Sequence, residues 1–387
     1  MISVGWNKIV VAVGGACLVV GLLVLFRCKQ VCSKPHNITL KGERSMFIIQ
    51  DDKITTPYGS FVVQEKVLFD LIQSAAFQRI RYIHQYGVMK WIRKSPEYSR
   101  FSHCLGVWAL LRRYDAPLNE QIAGLLHDVS HTVFSHLGDH IFNHHSAYNS
   151  YQDDIHEWFL RKYSIDKILA NYRIELRDIL HKAAGYTMLE QDLPNLCADR
   201  IEYNLRGGVV AGLIKEEEIE PILEQLQFND GRWFFLDAVA AAKFSRISLY
   251  LTENEWGSPA NELVYNWMAK AVQRALELQV VTFDEVHFST DDVIWDRLIN
   301  ATDKTIKDYL HKAINYKDQF SVINVAASAD RIIRTKFRGV NPWVFVDGEF
   351  KRLIDIDAVF AQEYERVQRL TQSGWAIKFA PGVKAGL

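Results

Sequence analysis

The stretch "LLHDVSHTVFSH", residues 125 to 136, sets His127 beside Asp128, then His131 and His136, in a run otherwise apolar or small. A single buried histidine is usually a hydrogen-bonded core residue, and a single aspartate a solvated one. Clustering argues otherwise: eight of the thirteen histidines lie between His103 and His156. Histidine is a common metal ligand and the usual proton shuttle near neutral pH. Read as a helix, the segment puts His127 and His131 on one face and Asp128 about 100° round. Two ligands do not close a site, so others must come from elsewhere. His103, with Arg100 one turn before it, and Asp199, in "CADRIEYNLR", are the candidates. Two imidazoles and two carboxylates suit a divalent ion: Mn, Fe, Co or Zn, or Mg with more water. Four protein ligands on an octahedral ion leave positions for water and substrate, and a water so bound can serve as a nucleophile at neutral pH.

Helical patterning supplies the frame. "QEKVLFDLIQSAAFQRIRYIHQYG" has helical apolar spacing and stops at Gly87. "RFSHCLGVWALLRRY", "NEQIAGLLHDVSHTVF", "DDIHEWFLRKYS" and "PNLCADRIEYNLRGG" read as further helices, as do Trp233–Leu251, Asn261–Leu278 and Thr290–Ile314. From about residue 318, "FSVINVA", "PWVFVDGEFKRLI" with its Asp-Gly turn, and "WAIKF" read as short strands around one helix, Ala358–Leu370. No internal repeat or low-complexity tract is present.

The chain has 387 residues, 49% hydrophobic and 24% charged, which is ordinary for a folded globular protein with a large core. A formal net charge of −1 gives no global pull towards nucleic acid. Five cysteines without regular spacing do not form a disulfide framework; Cys104 and Cys197 are expected as reduced core residues. The N-terminus differs in kind. Ile9 to Phe26 is eighteen residues without a charge, about 27 Å as a helix and just enough to span a bilayer. No small-x-small cleavage site follows in "RCKQVCSKP", so an uncleaved transmembrane anchor is expected over a signal peptide. Arg27, Lys29 and Lys34 outweigh Lys8, which places the body on the cytoplasmic side of a single-pass membrane protein. Cys28 and Cys32 stand where acylation could occur.

"RFSHCLGV", "LLHDVSHTVFSH" and "ADRIEYNLR" resemble the H…HD…D signature of the HD-domain metal-dependent phosphohydrolases. "PYGSFVVQEKVLFDLIQSAAFQRIRYIHQYG" resembles the branch of the deoxynucleoside triphosphate triphosphohydrolases, and the likeness runs from about residue 55 to 207. The resemblance implies that His103, His127, Asp128 and Asp199 hold the metal. It implies that His131 lies near the leaving group or phosphate, and that Asp139 and His156 form a carboxylate–histidine pair for proton transfer. Arg100 would contact phosphate, and Gln85 and Tyr203 the sugar. His140, His144 and His145 match nothing and are expected in a solvated loop.

The chain also departs from that branch. Ser130 replaces a glycine, and Thr132-Val133 a Gly-Pro pair, of the pattern after the HD pair. Gly207 stands where the triphosphohydrolases carry an acidic residue near the ribose. "SLYLTENEWGSPANELV" keeps Tyr250 but lacks the His-Lys pair that helps hold a triphosphate. "DRIIRTKFRG", with Arg331, Arg334, Lys336 and Arg338, is expected as a solvated strand face, with a phosphate effector or a partner as the alternative.

The expected architecture is therefore mainly α. A tail (1–8), a transmembrane helix (9–26) and a linker (27–50) precede a helical HD core (51–317) and a small C-terminal α+β extension (318–387). The expected function is hydrolysis of a nucleotide or related phosphoester by metal-activated water. The alternative is a non-catalytic nucleotide-sensing or scaffold protein that keeps the fold. Intact ligands and proton-transfer candidates favour the enzyme, and a homo-oligomer is left open.

Overall fold

A computed structural model describes residues 38–39, 47–93, 95–142, 150–180 and 184–383, all within one compact unit, His36–Leu387. The anchor expected over residues 9–26 lies outside the described residues, as do Cys28, Cys32, His144 and His145. Among the described residues no helix is long and apolar enough to cross a membrane. The longest, Pro259–Glu277, carries Glu262, Lys270, Arg274 and Glu277 along an amphipathic length. The transmembrane helix in the expected fold class, and the single-pass membrane localisation drawn from it, are corrected accordingly. The architecture is a mainly helical body with three small sheets.

The chain first forms an antiparallel meander, Ile38–Thr39, Ile48–Gln50, Lys53–Thr56 and Gly59–Val62. Phe61 from the meander meets the ring of Trp108 edge-on at 5.7 Å. Trp108 lies on Arg100–Arg113, a helix buried on nearly every side except its last turn. Leu118–Leu126 and Ala198–Val210 pack against it. Ser99 caps the first of these helices by accepting the Ser102 backbone N–H. Cys104 and Cys197 are buried free thiols.

Several elements break where the periodicity reads as continuous. The segment after Glu65 is two helices, Lys66–Gln73 and Ala75–Arg79, divided at Ser74, whose hydroxyl accepts the Phe77 N–H. The helix expected from Trp233 begins at Ala238, capped by Asp237. Before it, Leu226–Asn229 and Arg232–Phe235 form a hairpin around Asp230 and Gly231, both at positive φ. That hairpin pairs in parallel with Trp343–Val346, which continues through Asp347 and Gly348 into Glu349–Arg352. One sheet thus joins the helical body to the C-terminal segment. The third sheet sets Trp375–Phe379 between Phe320–Ile323 and Arg331–Ile333, all antiparallel.

Candidate metal centre and adjoining cavity

The helix Leu118–Leu126 ends one residue before the HD pair. His127 is its C-cap, and Val129 and His131 donate backbone N–H bonds only three residues back, to Leu126 and Asp128. The tighter turn sets Asp128 between the two histidines, its Oδ2 towards His127 and its Oδ1 towards His131. An uninterrupted helix would have turned Asp128 away, so the shared helix face expected for His127 and His131 is replaced by this turn.

His103, at the end of the first turn of Arg100–Arg113, and Asp199, in the first turn of Ala198–Val210, complete the candidate set. His103 Nε2 lies 3.2 Å from His127 Nε2, 3.3 Å from Asp128 Oδ2 and 3.0 Å from Asp199 Oδ1. His127 Nε2 lies 3.5 Å from Asp128 Oδ2 and 3.4 Å from Asp199 Oδ1. Donors about 2.1 Å from a shared ion stand about 3.0 Å apart along an octahedral edge, which the spacing of His103, His127 and Asp199 approaches. The ligand atoms of His103, His127 and Asp199 all lie within 4.8 Å of one another. Asp128 lies outside that trio but against both imidazoles.

Both imidazoles are oriented from behind. His103 Nδ1 meets Glu202 Oε2 at 2.5 Å, and His127 Nδ1 meets the Gly124 carbonyl at 2.7 Å. Those partners accept an Nδ1–H and leave each Nε2 lone pair for a metal. Glu202, wholly buried, also accepts from Tyr58 at 2.9 Å and Tyr98 at 2.6 Å. Burial disfavours protonation of His103, but Glu202, Asp128 and Asp199 outweigh it and hold its pKa well above the usual imidazole value. His127 shifts the same way against its own burial, chiefly through Asp128. Burial would raise Asp128, but Arg100 and the histidines hold it well below the carboxylate range. The residues thus favour positive charge at their centre, as a cation site must.

Arg100, 2% exposed, donates Nη1–H to Asp128 Oδ2 and Nε–H to Ser135 Oγ at 2.8 Å. Its Nη2 is buried with no hydrogen-bond partner among the described residues. Ser135 in turn donates to the His84 carbonyl at 2.6 Å. Phe134 and Ser135 sit at φ 57° and 60°, a left-handed pair that costs stability for residues with side chains. Asp291, absent from the sequence argument, fixes that turn. Its carboxylate accepts the N–H of Phe134 at 2.6 Å and of His84 at 2.9 Å.

Arg100 also lines a cavity of about 290 Å³. Gln85 and Tyr203 line it, with Tyr86 stacked on Trp256 and Tyr203 edge-on to Trp256. The Gln85 Oε1 and Tyr86 hydroxyl are buried without a hydrogen-bond partner among the described residues. Asp139 lines the same wall and faces His136 Nδ1 at 3.4 Å. His136 has no role assigned from sequence, although its i, i+3 spacing to Asp139 is the signal for this pair. Burial would raise Asp139, but His136 and the Tyr151 N–H pull it to about 2. His131 is buried with Nε2 3.1 Å from Asp128 Oδ1, and burial together with Arg100 lowers its pKa to about 3. His156 Nδ1 meets Ser130 Oγ at 2.8 Å. His140, expected in a solvated loop, lines the cavity beside Tyr265, 5.7 Å between ring centroids.

The family described as "HD domain" matches residues 100–226, the stretch that supplies every candidate metal ligand. The uncharacterized protein YdhJ of Bacillus subtilis is 29% identical over 323 residues, 83% of this chain and 97% of that one. The metal-dependent phosphohydrolase cns2 of Cordyceps militaris is 31% identical over 251 residues, 63% of this chain and 72% of that one. A crystal structure of phosphohydrolase BT4208 from Bacteroides thetaiotaomicron superposes with a TM-score of 0.61 at 16% identity, covering 86% of this chain and all of that one, which is a likeness of fold. The chain belongs to the HD-domain family of metal-dependent phosphohydrolases.

Proposed function

We propose that the protein hydrolyses a phosphoester or phosphoanhydride bond of a nucleotide or related small molecule at the cavity beside this centre. The observation that carries the reading is the convergence of His103 Nε2, His127 Nε2, Asp128 Oδ2 and Asp199 Oδ1 behind an arginine that opens on the cavity. His103, His127, Asp128 and Asp199 would hold a divalent first-row ion or Mg. When bound, such an ion polarises a phosphoryl oxygen and acidifies a water molecule.

The chain's own residues supply the rest. Arg100 braces Asp128 and has an Nη2 group to give to a phosphoryl oxygen, which offsets charge as it develops there. His136, partly exposed on the cavity wall and backed by Asp139, donates a proton to the leaving oxygen. His131 is buried against Asp128 and steadies it beside the phosphate. His156, through Ser130, supports the HD turn from behind. Gln85, Tyr203 and the Tyr86–Trp256 pair offer a polar and aromatic wall to a sugar or base.

A phosphate-release screen of the full chain with Mn²⁺, over nucleoside mono-, di- and triphosphates and an aryl phosphate, tests the reading. Release that disappears in Asp199→Ala is expected. No release from any of these, with metal bound, would overturn it.

A further inference from the structure

The basic run at residues 331–338 is not a uniform solvated strand. Its first part, Arg331–Ile333, pairs with Trp375–Phe379 and leaves Arg331 exposed outside the cavity lining. After Ile333 the backbone leaves the sheet and crosses the cavity rim, where Arg334, Thr335, Lys336 and Arg338 all join the lining. The crossing is pinned. Thr335 Oγ1 donates to the Gly257 carbonyl at 2.8 Å, and its N–H reaches the Thr371 carbonyl at 3.3 Å. Phe337 packs edge-on against Tyr364 at 5.0 Å, and Ser248 Oγ holds the Arg338 carbonyl at 3.3 Å.

Among the described residues, neither Arg334 nor Arg338 forms a side-chain hydrogen bond or an ion pair, although most other arginines of the body do. Neither carboxylate of the cavity forms an ion pair with them: Asp139 faces His136 and accepts the Tyr151 N–H, and Glu262 accepts from the Asn266 amide at 2.8 Å. Arg100 is the cation committed to the metal side, through Asp128. Arg334 and Arg338 therefore line the cavity from a pinned backbone with no ion pair or side-chain hydrogen bond among the described residues. Guanidinium groups are suited to phosphate.

We propose that Arg334, Lys336 and Arg338 form an anion subsite for a second phosphate of the substrate, separate from the phosphoryl group attacked at the metal. The subsite rests on the reading of this cavity as the substrate site. It defines the substrate class as one with at least two phosphates, a polyphosphate chain or two phosphates carried on one small molecule. It also answers the missing His-Lys pair. Asn261 and Glu262, from the stretch that lacks that pair, line the cavity beside cations delivered from a different segment of the chain.

Calorimetric titration of the full chain with inorganic tripolyphosphate in the presence of EDTA tests the subsite without catalysis, so its outcome is independent of whether phosphate release is found. The wild-type chain should bind tripolyphosphate. Arg334→Ala/Arg338→Ala should weaken binding at least tenfold, and Arg334→Lys/Arg338→Lys should recover most of it. Arg331→Ala, which removes the same charge from the same run but outside the cavity, should change affinity less than twofold. Absence of wild-type binding, unchanged affinity in the double alanine variant, or an equal loss in Arg331→Ala would each overturn the proposal.

Discussion

Glu202 Oε2 lies 2.5 Å from His103 Nδ1, at the end of a buried chain in which Tyr58 and Tyr98 both donate to the same carboxylate. The two residues come from different helices, so the orientation of one metal-side imidazole depends on how Arg100–Arg113 packs against Ala198–Val210. Glu202→Gln keeps an acceptor for the tyrosines but withdraws the charge behind His103. Removing such a partner typically costs about 10–100-fold in metal affinity. Metal competition against a chelator should show that loss; unchanged affinity would mean His103 is oriented by packing alone.

Arg100 joins Asp128 to Ser135 with a planar fork that a lysine cannot reproduce. Arg100→Lys should keep the metal and lose about 100-fold or more in kcat, the scale of removing one preorganised donor to developing charge. Elemental analysis beside aryl phosphate turnover separates the two effects. A kcat within threefold of wild type would remove Arg100 from the phosphate-binding role.

Burial pushes the Asp291 carboxyl up to about 7, against the pull of its two backbone N–H bonds. Unfolded, it titrates near 3.8. Between those values the native state holds more protons than the unfolded state, so this group's contribution is fully present below about 4 and is lost as pH rises through about 7. Denaturant unfolding of wild type and Asp291→Asn should show the gap between them narrowing by about 2 kcal/mol from pH 5 to pH 8. A gap that stays constant over that range would mean the carboxylate is ionised throughout.

Gly207 itself offers no acidic side chain to the cavity's aromatic wall. A Cβ there would come 2.8 Å from Leu251 Cδ1 and 3.3 Å from the Tyr86 hydroxyl, so the space is already taken. A hydrogen bond to a charged acceptor is worth about 1.5–3 kcal/mol, and without it ribo- and deoxyribonucleotides should be cleaved at rates within about tenfold. A nucleotide panel at equal concentration checks this. A preference above a hundredfold for the deoxy form would contradict it.

The candidate ligand set was legible because its two histidines and two aspartates stand in order within short, distinctive runs. The local conformation was not: apolar spacing carries the helix reading straight through His127, whereas the chain turns tightly there so that Asp128 can bear on the imidazoles. Asp291 and Tyr58 escaped notice because they act from 157 and 144 residues away along the chain. Glu202 did carry a signal, three residues after Asp199 on one helix and buried. The Asp-Gly turn that marked the hairpin at Asp347 also occurs at Asp230, where the helical apolar pattern downstream masked it.

The central claim is that His103, His127, Asp128 and Asp199 hold one divalent ion on which hydrolysis depends. Elemental analysis of the full chain and of Asp199→Ala, paired with phosphate release before and after chelation, tests it most directly. About one ion per wild-type chain, with both occupancy and release lost in the variant and release restored to chelated wild type by Mn²⁺, is the predicted result. Full occupancy in Asp199→Ala, or release that survives chelation, would contradict it.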